Sequence, residues 1–143
     1  MKKRRVVSVK GLVVALCVFC AACLLAVSAW ADDASGAGAE EKFAEYLQAA
    51  EQGDAQAQVE TGHCYRNGRG VEQRDQLAVY WYHQAAKQGN ADGQFWLGLM
   101  YGAGEGVAQN DENAASWLKK AADQGHKLAQ EMLETLRKHN VIK

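Results

Sequence analysis

The chain has no surplus of basic residues beyond its N-terminal segment. Its 143 residues contain 16 Lys+Arg and 17 Asp+Glu, but five of the basic side chains lie within residues 1–31, which hold no acid. The remaining 112 residues carry 11 basic and 17 acidic side chains, a net charge of −6. A nucleic-acid binder needs a basic surface to replace the counterions of the phosphates. The charge distribution therefore argues against a nucleic-acid partner.

Cysteine is almost absent from residues 32–143, where Cys64 is the only one. A single cysteine cannot form an intrachain disulfide, so we expect the fold to rest on packing alone. Cys17, Cys20 and Cys23 form two overlapping C-x-x-C spacings, but they lie in an apolar stretch, where cysteine acts as a small hydrophobe. A lipid-attachment site at Cys23 is a minor alternative, because small residues precede it.

The sequence also lacks a catalytic or metal-binding arrangement. Its four histidines are far apart and do not form the His-x-x-x-His spacing of a helical zinc site. The Gly68-x-Gly70 turn lacks the Lys-Ser/Thr of a phosphate loop. His63 and Cys64 are adjacent, but neighbours on a helix point about 100° apart and are poorly placed as nucleophile and base. We therefore expect no enzymatic activity, no metal and no cofactor.

The first 31 residues have the organisation of an export signal. A cationic start, Met1–Arg5, is followed after Lys10 by an uncharged, apolar stretch from Gly11 to Trp30. Ala29 and Ala31 supply the small-x-small pattern that signal peptidase accepts, so we predict cleavage after Ala31 and a periplasmic or secreted product. An uncleaved membrane anchor is the alternative, because the apolar stretch approaches the roughly 20 residues that span a bilayer. After cleavage we expect no membrane association.

A period of 36 residues dominates the rest of the chain. Residues 53–88 and 89–124 are identical at 15 of 36 positions, where chance at ordinary composition gives about two or three. Each copy has two helical stripes of apolar residues, separated by a Gly-x-Gly turn. A mid-helix glycine costs about 1 kcal/mol relative to alanine. The recurrence of Gly62 and Gly98 therefore predicts a close helix crossing that a Cβ would obstruct, within an all-α fold.

Residues that repeat in register are interpreted as structural, and residues that vary as candidate binding positions. The structural set, with both tryptophans predicted in the core, comprises Gly62, Tyr65, Trp81, Gly98, Tyr101 and Trp117. The candidate partner-binding set follows one stripe of the first helices and comprises Glu60, His63, Asp92, Trp96 and Leu99. Trp96 is interpreted as an exposed anchor, because Trp is enriched at interface hot spots. Packing of Trp96 against the adjacent helix is the alternative.

The repeated residues resemble the Sel1-like repeat, a relative of the tetratricopeptide repeat. The pattern Ala-x-x-Gln-x-x-x-Gly-x-x-Tyr-x-x-Gly-x-Gly-Val is present in both complete copies, and partial copies flank them. The resemblance implies a short right-handed α-solenoid of antiparallel helix pairs, about six helices over residues 40–139. Residues 32–39 are small and polar, and we predict a flexible linker there.

The chain departs from this family pattern in three respects. It contains no proline, whereas the family often places one after Gly-x-Gly-Val. Thr61 stands where leucine is usual, which weakens the first repeat's core. One branch of the family has a disulfide in each repeat and is associated with β-lactam binding or hydrolysis, but Cys64 lacks a partner. The resemblance therefore gives no support for that activity.

Family members are commonly exported bacterial proteins that act as protein-interaction scaffolds. We therefore expect a non-enzymatic adaptor or regulator that binds a cell-envelope protein through the groove of its repeats. The acids and Trp96 predict a partner with basic residues around an apolar pocket. A periplasmic immunity or inhibitor protein against a toxin or envelope enzyme is the main alternative. A cell-wall or β-lactam hydrolase is a weaker one, because no nucleophile and base come together.

Overall fold

The computed structural model describes residues 34–138, and these residues form six α-helices. The helices are α1 (Ala34–Glu51), α2 (Ala55–Asn67), α3 (Asp75–Lys87), α4 (Ala91–Ala103), α5 (Asp111–Asp123) and α6 (Lys127–Lys138). This part of the chain has no strand, and the all-α prediction of six helices is confirmed. Residues 37–138 belong to one compact unit. The predicted signal segment and its cleavage residues, Ala29 and Ala31, lie outside the described residues.

The helices pack as a short solenoid of repeated helix pairs. α2 packs on α3, and α4 packs on α5, which are the two pairs of the complete repeats. α3 also packs on α4 and α5 packs on α6, so that each pair is joined to the next. The first helices of the two repeats, α2 and α4, touch each other as well. No helix within residues 34–138 is both long and apolar enough to cross a membrane.

The N-terminal helix α1 begins earlier than the sequence predicted. Residues 34–39 are helical, so most of the predicted flexible linker, residues 32–39, is instead the first part of this helix. Near its start, the carbonyl of Ala39 lies against Gly70, where a Cβ would clash. The carbonyl of Asp75, 36 residues later, lies against Gly106 in the same way. A stretch rich in alanine, the best helix former, therefore takes up the role of a second helix rather than a linker.

Helix ends are set by residues that recur along the chain. The side chains of Asp54 and Asn90 accept backbone N–H bonds at the starts of α2 and α4. Gly68 and Gly104 end the same two helices in the left-handed conformation, with φ of 65° and 71°. Asp75 is the first residue of α3. Its carboxylate there lies beside the positive end of the helix dipole.

The close helix crossings predicted at Gly62 and Gly98 are confirmed. A Cβ on Gly62 would lie 2.5 Å from Cε1 of Tyr82, and a Cβ on Gly98 would lie 2.9 Å from Cγ of Leu118. Tyr82 and Leu118 are both fully buried, so neither side chain can move aside at low cost. Thr61, where leucine was expected, is also buried and donates from Oγ1 to the carbonyl of its own helix four residues earlier.

Trp81 and Trp117 were predicted in the core, but both lie outside its fully buried residues, and Trp117 packs against them. Both are only half-buried, and the side chain that fills the core at each place is the following residue, Tyr82 or Leu118. The buried stripe of α3 runs through Ala78, Tyr82 and Ala85, so position 81 lies at its edge. At the equivalent place on α5 the Trp117 ring carries the ammonium of Lys120, 3.8 Å from its centroid.

A ladder of glutamines joins each repeat to the preceding one. Gln58, Gln94 and Gln130, spaced 36 residues apart, donate from Nε2 to the backbone carbonyl eight residues earlier, over 3.1 to 3.3 Å. Gln88 and Gln124 in turn donate to Oε1 of Gln58 and Gln94, both over 2.8 Å. Because Gln58 and Gln94 are buried, these bonds satisfy polar groups at the junctions between helix pairs.

Candidate functional site

The predicted partner-binding residues lie on the first helices of the two complete repeats. Glu60 and His63 belong to α2, and Asp92, Trp96 and Leu99 belong to α4. We call these five residues the first-helix surface. Asp92 is exposed and the other four are half-buried. The structure brings His63 and Trp96 into contact across the junction between the helices, with ring centroids 4.8 Å apart.

Trp96 is held between two repeats by four side chains. Its ring meets His63 and Phe95 edge-on and stacks at 6.1 Å on the ring of Tyr82. The guanidinium of Arg66 lies over the ring, 5.1 Å from its centroid, a cation–π contact. Trp96 therefore packs against the adjacent helix, which was the alternative interpretation, and only part of its ring is open to solvent.

His63 and Cys64 do not have the properties of a catalytic pair. Nδ1 of His63 lies 2.9 Å from the hydroxyl of Tyr82, and partial burial lowers the pKa of His63 although nearby Glu60 opposes the shift. Cys64 is buried, and burial raises the pKa of its thiol. A raised pKa disfavours the thiolate, which is the nucleophilic form.

Asp92 is bound to the next repeat through His126. The Nδ1 atom of His126 accepts the backbone N–H of Ala129, so Nε2 carries the proton and donates to Oδ1 of Asp92 over 3.1 Å. The imidazole also stacks on Phe95, with centroids 4.5 Å apart. Sequence reasoning missed His126, although it stands 36 residues after Asn90, a cap of a first helix. The register could have identified it as the capping residue of α6.

An apolar pocket of about 380 Å³ opens beside Leu99, between α4, α5 and α6. At its rim the guanidinium of Arg66 lies 3.4 Å from a carboxylate oxygen of Glu105. The sequence did not predict this pocket, because no single repeat contains it. The residues that line it are Arg66, Gly98, Leu99, Gly102, Ala103, Glu105, Asp111, Ala114, Leu118, Met132 and Leu136.

The described residues offer no site for a metal ion. No group of three or more His, Cys, Asp and Glu side chains comes together between residues 34 and 138. In the same part of the chain, every buried side-chain nitrogen or oxygen has a hydrogen-bond partner. An unpaired buried polar group often marks a place where a ligand or ion is bound. The chemically distinctive features of this structure are therefore the first-helix surface and the apolar pocket beside it.

The Sel1 repeat family matches residues 46–54, 55–90 and 91–126. These segments make up more than half of the chain, and the chain therefore belongs to the Sel1 repeat family. Proteins of this family are generally non-enzymatic scaffolds, and Sel1 repeats typically bind other proteins. No curated protein matches the chain.

Solved structures of Sel1 repeat proteins have the same fold. A Sel1 repeat protein from Oxalobacter formigenes is 41% identical, with a TM-score of 0.62, over 64% of this chain and 26% of its own. A protective antigen of uropathogenic Escherichia coli with an SLR fold is 38% identical, with a TM-score of 0.64, over 66% of this chain and 20% of its own. Helicobacter pylori cysteine rich protein B is 28% identical, with a TM-score of 0.61, over 64% of this chain and 68% of its own. The chain thus spans only about a quarter of the length of the Oxalobacter protein and a fifth of the length of the Escherichia coli antigen.

Proposed function

We propose that this chain is an exported, non-enzymatic adaptor or regulator that binds a partner protein of the cell envelope through its first-helix surface. In solenoid proteins, equivalent positions of successive units form one continuous binding surface. The observation that carries the proposal is the apolar pocket beside Leu99, which extends this surface towards α6. An open apolar cavity of this size can bury a side chain of a partner, and buried anchors dominate the energy of protein interfaces.

The charge of the surface indicates the chemistry of the partner. Glu60 and Asp92 are held in place by hydrogen bonds from Gln56 and His126, and residues 32–143 carry a net charge of −6. A partner with basic residues at the contact complements this surface. Exposed charges are screened beyond about 8–10 Å at physiological ionic strength. We therefore expect association to slow as the salt concentration rises.

Affinity capture of envelope proteins on the purified protein, followed by mass spectrometry, tests this proposal. The test variant Glu60→Gln with Asp92→Asn removes two charges from the first-helix surface and retains acceptor oxygens for both hydrogen bonds. The control variant Glu112→Gln with Asp123→Asn removes two exposed charges from α5. We expect the test variant alone to lose partners that the wild type retains. Equal capture by both variants would place the interaction on another surface.

The same capture distinguishes an adaptor from an immunity or inhibitor protein. A single partner bound in equal amount to the chain favours the inhibitor, because an inhibitor blocks one target. Several envelope proteins recovered with the chain favour the adaptor. In both cases the contact is made by the first-helix surface, so the test variant is expected to weaken it.

A further inference from the structure

The pocket beside Leu99 exists because one repeat has small side chains where the preceding repeat has large ones. Both repeats keep the glycine that allows the close helix crossing, Gly62 in the first and Gly98 in the second. Around this glycine, four positions that carry a ring or a long charged side chain in one unit carry a smaller side chain 36 residues later. Leu99, Gly102 and Leu118 stand where the first repeat has His63, Arg66 and Tyr82, and Met132 of α6 stands where α4 has Trp96.

The first repeat shows which groups fill this space. There the ring of Tyr82 lies over Gly62, with Cε1 only 2.5 Å from the position of a Cβ. The rings of His63 and Trp96 contact that of Tyr82, and Arg66 covers the Trp96 ring. The equivalent space in the second repeat is the pocket of about 380 Å³. The fold therefore already accommodates aromatic rings at this place, and the second repeat does not supply them.

The lining and the rim of the pocket select for a particular side chain. Leu99, Leu118 and Met132 present aliphatic and thioether groups, and a methionine sulfur interacts favourably with an aromatic ring. At the rim, Glu105 is paired with Arg66, and Asp111 adds a second carboxylate. Two acids against one base favour a positively charged group beside the entering side chain.

We propose that this pocket receives one bulky aromatic side chain, tryptophan or tyrosine, from the partner protein, at a site where lysine or arginine flanks that residue. This inference rests on the proposed function, because it assumes a protein partner. It reverses the roles expected from the sequence: the partner supplies the aromatic anchor, and this chain supplies the pocket. Trp and Tyr, together with Arg, are enriched among the hot-spot residues that cluster near the centres of interfaces, in agreement with this assignment.

The proposal is tested by NMR titration of the purified protein with N-acetyl-L-tryptophanamide, using N-acetyl-L-leucinamide as the matched probe. Saturable shifts of the Leu99 and Leu136 methyl signals are expected with the tryptophan probe and much weaker ones with the leucine probe. Met132→Trp should weaken binding at least about tenfold, because it places in the pocket the ring that Trp96 supplies to the first repeat. Tyr80→Ala, on an exposed residue of α3, should leave binding unchanged. Equal binding by the wild type and Met132→Trp overturns the proposal.

A second pocket-filling variant guards against a folding defect. Leu118→Tyr introduces the residue found at the same position of the first repeat, over a glycine that both repeats share. Circular dichroism should show unchanged helicity in at least one of the two variants, and that variant should lose the tryptophan probe. A folded variant that still binds the probe with wild-type affinity contradicts the proposal.

Failure of this inference is distinguishable from failure of the proposed function. Envelope proteins captured with unchanged affinity by a folded pocket-filling variant, but lost by Glu60→Gln with Asp92→Asn, overturn the aromatic anchor and leave the adaptor proposal standing. The aromatic-anchor proposal is also overturned if either of two other groups occupies the pocket. Nuclear Overhauser contacts from Leu136 to Val141 or Ile142 would show the chain's own C-terminal residues in the pocket. A dimer abolished by Met132→Trp would show a second copy there.

Discussion

Gly62 is a helix position at which the structure tolerates no side chain. Gly62→Ala is expected to lower the free energy of unfolding by about 1–3 kcal/mol, the usual cost of overpacking, because the buried ring of Tyr82 occupies the space of the new Cβ. Urea unfolding measures this change.

Gly38 provides the matched control for this substitution. It lies in helix α1, and a Cβ there meets nothing within 4 Å. Gly38→Ala should therefore leave stability unchanged or raise it by up to about 1 kcal/mol, from helix propensity alone. If both variants unfold at the same urea concentration as the wild type, Gly62 does not make the close crossing described here.

Cys64 provides a chemical probe of the same core. It is 6% exposed, and burial raises the pKa of its thiol. In the native protein the peptide that contains Cys64 should be labelled slowly by a thiol reagent, and rapidly once the protein is denatured. Mass spectrometry of that peptide follows the reaction. Native labelling as fast as denatured labelling would show that the thiol lies at the surface.

His63 links stability to pH. Partial burial lowers its folded-state pKa below the ordinary value of 6.5, so the unfolded chain binds the proton more readily. The stability that neutral His63 contributes is complete above pH 6.5 and is lost as the pH falls through the lowered folded pKa. Burial and the nearby charge of Lys87 also lower the pKa of His83. His83 therefore also contributes to the loss of stability as the pH falls.

Replacement of His63 by glutamine isolates its share of this effect. His63→Gln should reduce the loss of melting temperature on going from neutral to mildly acidic pH, because glutamine keeps a hydrogen-bonding group near Tyr82 but does not titrate. The matched variant His83→Gln should reduce this loss of melting temperature less. Among the described residues, His83 has no hydrogen bond to a buried tyrosine like that of His63. Identical pH profiles for the wild type and His63→Gln would contradict the assignment.

At the scale of the helices, the glutamine ladder holds successive pairs together. Gln94 is buried and bonds both to the carbonyl of Ala86 and to Gln124. Gln94→Leu should lower the free energy of unfolding by about 1–3 kcal/mol, because it leaves buried polar groups unsatisfied. Gln130→Leu removes the equivalent bond at an exposed position. A chemical denaturation series in which both variants lose the same stability would argue against a buried ladder.

The sequence predicted the helices of the two complete repeats, and their register predicted both glycine crossings. Residues 34–39 were wrongly predicted as a linker because they lie before the two complete repeats. Composition alone did not distinguish an alanine-rich helix start from a linker. The pocket depends on a size difference between Trp96 and Met132 and between Tyr82 and Leu118. Comparing which residues repeat does not reveal the pocket, because its size depends on residues that differ between successive repeats.

At the scale of the whole molecule, the signal prediction concerns residues outside the described structure. We predict that the mature protein begins at Asp32, after the Ala29-Trp30-Ala31 pattern. Intact-mass analysis of protein from the envelope fraction measures this directly. Ala31→Leu should slow processing, because the peptidase requires a small residue there, whereas Asp33→Asn should not. Recovery of the wild type with Met1 retained would instead support a membrane anchor.

The partner is proposed to bind the first-helix surface and its adjoining pocket, rather than the exposed face of the second helices. Two exposed hydrophobic residues allow a direct comparison: Leu128 on α6, 57% exposed, and Tyr80 on α3, 52% exposed. Leu128 stands 36 residues after Asp92 and so continues the stripe of the first helices. A photo-crosslinking amino acid at each position, in turn, reports which side the partner covers. We expect a crosslinked partner from position 128 and none from position 80. A crosslink from position 80 alone would contradict it.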